Sequence, residues 1–322
     1  VLTRLGAIPD SPVTTSSDSN SIIQSLFEFW LSQADSRRGA AVKKAARLSE
    51  WLECQLAAGA VAEFFSSATQ NATQNATPNA ATHNSLTDAF GKRILWWPQG
   101  RPAGRQVAIV SSRIGRKLQE RPQWFETLRL ATGTLDSGDF LVTARRTTTH
   151  RFVSRLAEML TLPRIEMRFA SPRLLTEKWF EWLIKETTEP SDQSVSLVYV
   201  SPPLDELSGA GPSRRQNDAS QTPTFPEQDL AVSLLADQMW VLSLREGGNL
   251  ETLLKTGLTE STFAPGAVRL LPGEGLVEES QAQSLQDRGA VAWYLTSTER
   301  AQIPEPLPTQ DSPRMLASDF CQ

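Results

Sequence analysis

Residues 106–113 have the sequence Gln-Val-Ala-Ile-Val-Ser-Ser-Arg, an apolar run that ends abruptly in two hydroxyl groups and a cation. A run of this length, 107–110, predicts a buried strand, and the polar residues predict the turn after it. Helical periodicity follows at 122–135, and the same strand and helix order is repeated at 139–143 and 149–160. Such alternation with short connections predicts a parallel sheet with right-handed crossovers.

The pattern continues toward the carboxyl terminus. Further apolar runs predict strands at 164–169, 195–200, 238–243, 268–271 and 290–295, and helical spacing predicts helices at 174–185, 229–235 and 250–256. The fold class expected from these elements is α/β, with a Rossmann-like, mostly parallel sheet that carries helices on both faces, plus an N-terminal helical segment.

Four segments are expected along the chain. Residues 1–67 form the N-terminal helical segment, because Ile22, Leu26 and Phe29 have helical spacing and the period continues over 41–65. Residues 68–90, an Asn/Thr/Ala-rich repeat, form a linker, since the repeat has no apolar periodicity. Residues 91–300 form the Rossmann-like domain, and the proline-rich residues 301–322 form an extended or disordered tail.

Composition excludes several classes of protein. With two cysteines and two histidines in 322 residues, neither a disulfide framework nor a metal centre is expected, and no cofactor is indicated. No run approaches the length and apolarity of a membrane span, and no secretory signal precedes the helices, so a cytoplasmic location without membrane partners is expected. The net charge of −4 requires any nucleic-acid binding to be local.

Ligands of open parallel sheets bind beyond the carboxyl ends of the strands, where amides at helix starts attract anions. Three polar turns fit this position, at 111–113, 143–150 and 245–249. In the last of these, the paired glycines allow close backbone approach, and the asparagine is suited to cap the next helix. The residues expected to bind a ligand or its phosphate are Ser111, Ser112, Arg113, Arg145, Arg146, Thr149, Arg151, Gly247, Gly248 and Asn249.

Each feature also has an ordinary structural interpretation. The double glycine is compatible with a tight turn, and the Arg145-Arg146 pair with a solvated surface. His150 has no carboxylate or nucleophile at a recognisable spacing, so no catalytic residue is assigned. Most tryptophans lie on apolar faces and are expected in the core, whereas Trp96-Trp97, beside a proline and two arginines, is the pair to test for base stacking.

These turns resemble the Rossmann-like domain of the DNA-processing protein A family, the recombination mediators that bind single-stranded DNA. Residues 107–113 are similar to that family's strand followed by Gly-Ser-Arg, and 141–151 to its second strand and the helix start ending in Ala-His-Arg. Phe225-Pro226 with 229–237 resembles the Phe-Pro-x-Arg-Asn-Arg helix, and 248–252 the Gly-Ser-Leu-x-Thr turn. The broader superfamily includes cytokinin-activating phosphoribohydrolases.

The chain departs from the family motifs at several positions that bear on phosphate binding and hydrolysis. Gln228 and Leu230 replace the two arginines after Phe-Pro, and Ala144-Arg145-Arg146 replaces a glycine-rich turn. Leu254 stands where the phosphoribohydrolases have their glutamate, and Leu250-Glu251 replaces their Gly-Thr pair, which disfavours that hydrolysis.

The resemblance implies a protein that binds rather than catalyses, with single-stranded nucleic acid or a nucleotide as its partner. Two alternatives are kept. One is a small-nucleotide hydrolase or transferase that uses Glu251, His150 or Asp229 as acid or base, and the other is a degenerate ligand-sensing scaffold. Assembly into a homo-oligomer is left open.

Overall fold

The computed structural model of the chain describes residues 47, 50–65, 85–112, 122–147, 149–170, 176–188, 195–203, 225–271 and 276–293. These residues form strands and helices that divide into two units. The first unit combines Val1–Ala103 with Ile165–Leu234, and the second combines Gly104–Arg164 with Leu235–Gln322.

The strands are numbered in chain order. They are β1 (Val61–Phe65), β2 (Arg93–Trp97), β3 (Arg105–Ser111), β4 (Asp139–Ala144), β5 (Arg164–Phe169), β6 (Val195–Val200), β7 (Gln238–Ser243), β8 (Val268–Leu270) and β9 (Val291–Ala292). The helices are α1 (Ser85–Phe90), α2 (Pro122–Gly133), α3 (His150–Met159), α4 (Thr176–Thr188), α5 (Glu227–Leu235), α6 (Asn249–Thr259) and α7 (Glu279–Gln286).

The strands of the second unit have the order β4-β3-β7-β8-β9, and each neighbouring pair is parallel. Successive side chains of a strand point to opposite faces. Val107 and Ile109 join one apolar cluster, which includes Trp124 of α2 and Val153 of α3, while Ala108 between them is equally buried. Strands buried on both faces require cover on both sides, as the Rossmann-like expectation demands.

The first unit contains antiparallel pairs. β1 pairs with β2 over the whole of both strands, and β2 pairs with β6, so that Trp96 lies opposite Tyr199. Trp96, Tyr199 and Trp179 of α4 are fully buried in one cluster, and Trp51 stacks on Trp96 with ring centroids 5.8 Å apart. Buried aromatic surface of this size dominates the packing of this unit.

The predicted α/β class with a mostly parallel sheet is confirmed, and two local expectations are corrected. The helical period expected over 41–65 gives a strand at Val61–Phe65, because these residues pair with β2. Trp96-Trp97 cannot stack on bases, since both side chains are completely buried and Trp97 Nε1 donates to Glu63 at 3.2 Å.

The predicted segment boundaries remain expectations. Residues 85–90, assigned to the linker, form α1 and bury Leu86 and Phe90 in the described structure. Residues 21–34, the whole of the repeat at 68–84, and the tail at 301–322 lie outside the described residues.

Candidate functional site

The carboxyl ends of β4, β3 and β7 lie at one edge of the second unit, because these neighbouring strands are parallel. The register aligns Val107 with Leu141 on one side and with Gln238 on the other. The three polar turns predicted from the sequence follow these three strand ends. We call this the carboxyl edge, defined by Ser111, Ser112, Ser243, and the turns 144–147 and 245–249.

Two serine hydroxyl groups form a hydrogen bond between the end of β3 and the end of β7. The Oγ atoms of Ser111 and Ser243 are 2.7 Å apart, and the Ser112 amide donates to the Ser243 carbonyl at 3.0 Å. Trp124 Nε1 of α2 also donates to Ser111 Oγ at 3.0 Å. A register shift between Val110 and Ser111 places Ser111 opposite Ser243. The Ser111 hydroxyl therefore bonds within the unit and fixes the edge.

Ser112 connects two of the turns. Its Oγ accepts a hydrogen bond from the Arg245 amide at 3.0 Å, and its side chain is half-buried. Because this contact joins residues 133 positions apart, the loop after β3 and the loop after β7 are held in one fixed relation. Both turns were predicted to contribute ligand-binding residues, and this hydrogen bond joins them.

The glycine turn is shaped by its backbone. Gly247 has φ 63°, a left-handed conformation that favours glycine, and a Cβ on Gly248 would lie 2.9 Å from the Arg245 carbonyl oxygen. The helix cap differs from the expectation, since Gly248 occupies the N-cap position and Asn249 is the exposed first residue of α6. Asn249 therefore does not cap this helix.

Glu251 supplies an anion inside the turn. Its Oε2 accepts the Gly247 amide at 2.7 Å, and its Oε1 lies 2.7 Å from Lys255 Nζ. Burial acts most strongly on this carboxyl and would raise its pKa, but the bonds from Lys255 and Gly247, with the Lys255 charge, together lower the pKa below the ordinary value. The Gly247 amide, which was predicted to bind a ligand, thus donates its hydrogen bond to an ionised glutamate instead.

The arginine turn connects β4 to α3. Thr147 bonds to the Ala144 carbonyl through both its amide, at 3.2 Å, and its Oγ1, at 2.9 Å. Arg146 has φ 77°, and the side chains of Arg145 and Arg146 are both exposed. The turn is therefore closed by its own backbone and threonine while two guanidinium groups face solvent.

Of the predicted residues at the start of α3, Thr149 is buried and Arg151 is exposed. Thr149 is buried and its Oγ1 donates to the Ile109 carbonyl at 3.2 Å, so this hydroxyl ties α3 to β3 instead of facing a ligand. Arg151 is exposed in the first turn of α3. Arg113 lies outside the described residues.

Sequence reasoning missed the residues that hold the edge together. Ser243, Trp124 and Lys255 were each assigned only to an apolar or helical run. Ser243 carried a signal, because a serine ends an otherwise apolar strand directly before the predicted turn. The indole of Trp124 gave no such signal, since its partner lies on another element.

Within the described ranges, no group of three or more His, Cys, Asp or Glu side chains is arranged to hold a metal ion. Among those same residues, no helix has the length and apolarity that crossing a membrane requires.

No protein-family model matches the chain, and no curated protein matches it. Among solved structures, the chain is similar to DNA processing protein A from Streptococcus pneumoniae, with 14% identity, a TM-score of 0.41 and 84% of each chain covered. It is also similar to a Helicobacter pylori DNA processing protein A structure that concerns its single-stranded DNA binding mode, with 12% identity, a TM-score of 0.35, and 76% of this chain and 95% of that chain covered. Both likenesses are remote, so the ligand must be inferred from this chain's own residues.

Proposed function

We propose that this protein binds single-stranded DNA or a nucleotide phosphate at the carboxyl edge of its second unit, without catalysing a reaction, as a protein of the DNA-processing type. The observation that carries the proposal is the exposed arginine pair on a closed turn, beside an edge fixed by serine hydrogen bonds. Guanidinium groups present several donors to phosphate oxygens, and a rigid edge limits the ordering that binding requires.

Glu251, one of the acid or base candidates of the rival hypothesis, is poorly suited to catalysis. A general base should have a pKa close to the working pH. Glu251 has a lowered pKa, and its two oxygens already contact Lys255 and Gly247, so it is a weak base. These contacts favour binding over turnover.

Fluorescence anisotropy with a labelled thymidylate oligomer tests the proposal. We expect binding at low salt whose logarithmic affinity falls with a slope of about −0.7 for each phosphate contacted. The double variant Arg145→Ala/Arg146→Ala should weaken binding about tenfold or more. Arg288→Ala is the matched control for a single charge, since this exposed arginine precedes β9 and lies at the opposite edge.

Two results would contradict the proposal. One is the absence of binding at low salt, and the other is binding that the double variant leaves unchanged. Mass spectrometry of the purified protein for a co-purified nucleotide, followed by a turnover assay, tests the enzymatic alternative directly. Release of a product from that nucleotide would replace binding with catalysis.

A further inference from the structure

The glycine turn of the carboxyl edge is filled by a carboxylate of the chain itself. Glu251 is the third residue of α6, and its side chain is 5% exposed. The Gly247 amide donates to one of its oxygens at 2.7 Å, and Lys255 Nζ lies 2.7 Å from the other. Backbone amides at a helix start and ammonium groups are donors that bind phosphate. In this chain, both of these donors bind the Glu251 carboxylate.

The position of Glu251 in α6 stabilises this arrangement. A negative charge in the first turn of a helix is favoured by the aligned peptide dipoles, and α6 is 11 residues long. Leu250 and Leu253, on either side of Glu251 in the sequence, are buried in the second unit. A ligand phosphate would therefore have to displace a buried, hydrogen-bonded carboxylate in order to reach the Gly247 amide.

The arginine turn at 144–147 has a different balance of charge. It carries two exposed arginines and no acid. The glycine turn and the first two turns of α6 carry two acids and two bases, which are Arg245, Glu246, Glu251 and Lys255. The strand order β4-β3-β7 separates the two turns by two strand spacings, about 10 Å. The net positive charge of these two turns is therefore concentrated on the β4 side.

We propose that Glu251 is a specificity-determining residue, which takes the place of a ligand phosphate at the glycine turn, so that the carboxyl edge accepts phosphate at the arginine turn alone. This inference rests on the proposed function and adds the pattern of phosphate groups that the site accepts. The uncharged sugar or base of the ligand lies toward β7. A second phosphate on the far side of the sugar gains nothing there, because the Glu251 carboxylate repels it and already holds the donors.

Competition against a labelled thymidylate oligomer, measured by fluorescence anisotropy on the full chain at low salt, compares two nucleotides. One is thymidine monophosphate, and the other is thymidine bisphosphate, which carries a phosphate on each side of the sugar. For the wild type, the second phosphate should change the affinity less than about twofold.

Glu251→Gln keeps the size of the side chain and an oxygen that accepts the Gly247 amide, but it removes the charge. This variant should bind the bisphosphate about fivefold more tightly than the wild type does, because the repulsion is lost and Lys255 becomes available to the phosphate. Its affinity for the monophosphate should change less than about twofold. A purely structural role of Glu251 would change both affinities equally.

Two control variants separate the position of the charge from its amount. Asp136→Asn removes an exposed carboxylate from the loop before β4 and should leave both affinities unaltered. Glu251→Asp keeps a carboxylate in the first turn of α6 and should keep the wild-type ratio of the two affinities.

The inference is overturned if the wild type binds the bisphosphate about fivefold or more tightly than the monophosphate, a comparison that depends on no variant. A folded Glu251→Gln variant without a gain for the bisphosphate would also overturn it. So would failure of the monophosphate to displace the oligomer, since one phosphate at the arginine turn would then not be held. The proposed function would stand in each case if Arg145→Ala/Arg146→Ala weakened oligomer binding, whereas absence of oligomer binding at low salt would overturn both.

Discussion

The two edges of the second unit use arginine in opposite ways. At the amino edge, where β3 and β4 begin, Arg105 donates through Nε to the buried Asp139 at 2.8 Å, and a second nitrogen of Arg105 lies 3.3 Å from Asp136. The hydrogen bond to Asp139 raises the pKa of Arg105 against the opposing effect of burial. At the carboxyl edge, Arg145 and Arg146 are exposed on a turn that is closed without them.

At the amino edge the arginine is bound by a buried acid, whereas the edge that we propose to bind a ligand exposes both of its arginines. Backbone atoms also pack closely at the amino edge. A Cβ on Gly104 would lie 2.3 Å from the Gly138 carbonyl oxygen, and the Gln106 amide donates to Asp237 at 2.7 Å. Removal of the acid that binds Arg105 should therefore change stability, whereas substitution of Arg145 and Arg146 should change affinity.

The largest effect is expected from Asp139→Ala. Asp139 is 4% exposed and accepts hydrogen bonds from Arg105 and from the Asp136 amide at 3.0 Å. Its loss leaves the Asp136 amide unpaired and the partly buried guanidinium with only the longer contact to Asp136, which should lower the free energy of unfolding by about 2–3 kcal/mol. Urea denaturation measures the change. Asp136→Ala, at an exposed carboxylate, should cost less than about 0.5 kcal/mol, and equal losses would contradict the assigned roles.

Glu251→Gln should lower the free energy of unfolding by about 1–2 kcal/mol at neutral pH. The folded-state pKa of Glu251 is lowered, so its carboxylate stabilises the protein above the ordinary carboxyl pKa of about 4.3. That contribution disappears as the pH falls through the lowered folded-state value. Denaturation curves of wild type and variant should therefore converge in acid, and a difference that persists there would show that packing, not charge, is responsible.

Ser243→Ala should cost about 1 kcal/mol, because it removes a partner from Ser111 while the Trp124 indole keeps its own hydrogen bond. Thermal melting monitors the loss. Ser137→Ala, in the exposed loop of the amino edge, is the matched control and should leave the melting temperature unchanged. A matching loss at Ser137 would mean that the two edges do not differ in rigidity.

The smallest effect concerns Glu246, an exposed acid in the glycine turn of the carboxyl edge. Glu246→Gln should raise oligonucleotide affinity about twofold, since it removes repulsion between a carboxylate and phosphates. Asp136→Asn changes the same charge at the amino edge and should leave the affinity unaltered. Equal gains in anisotropy titrations would indicate a general effect of net charge instead of a local one.

The sequence predicted the elements whose signals are local. β6 and β7 have the bounds expected at 195–200 and 238–243, and α2 begins at Pro122 as expected. Apolar runs and turn residues carry this information within a few positions. Residues Val61–Phe65 were predicted to be helical, but they form a strand because they pair with β2. That pairing partner is distant in sequence, so the local pattern did not indicate it.

The site was predicted in outline only, for a similar reason. Its three turns follow from strand order, yet the hydrogen bonds that decide each residue's role join distant positions. Ser111 bonds to Ser243 across 132 residues, and Thr149 bonds to Ile109 across 40. Spacing along the chain cannot distinguish a threonine that faces a ligand from one that faces a neighbouring strand.

The backbone of Arg146 has one more consequence. A side chain at φ 77° is strained relative to glycine by about 1 kcal/mol, and a turn of this kind is the place where glycine would relieve the strain. The chain thus retains a slightly unfavourable backbone conformation at one of the two exposed arginines. In evolutionary terms, Arg146 is a site where selection for stability alone would favour a different residue.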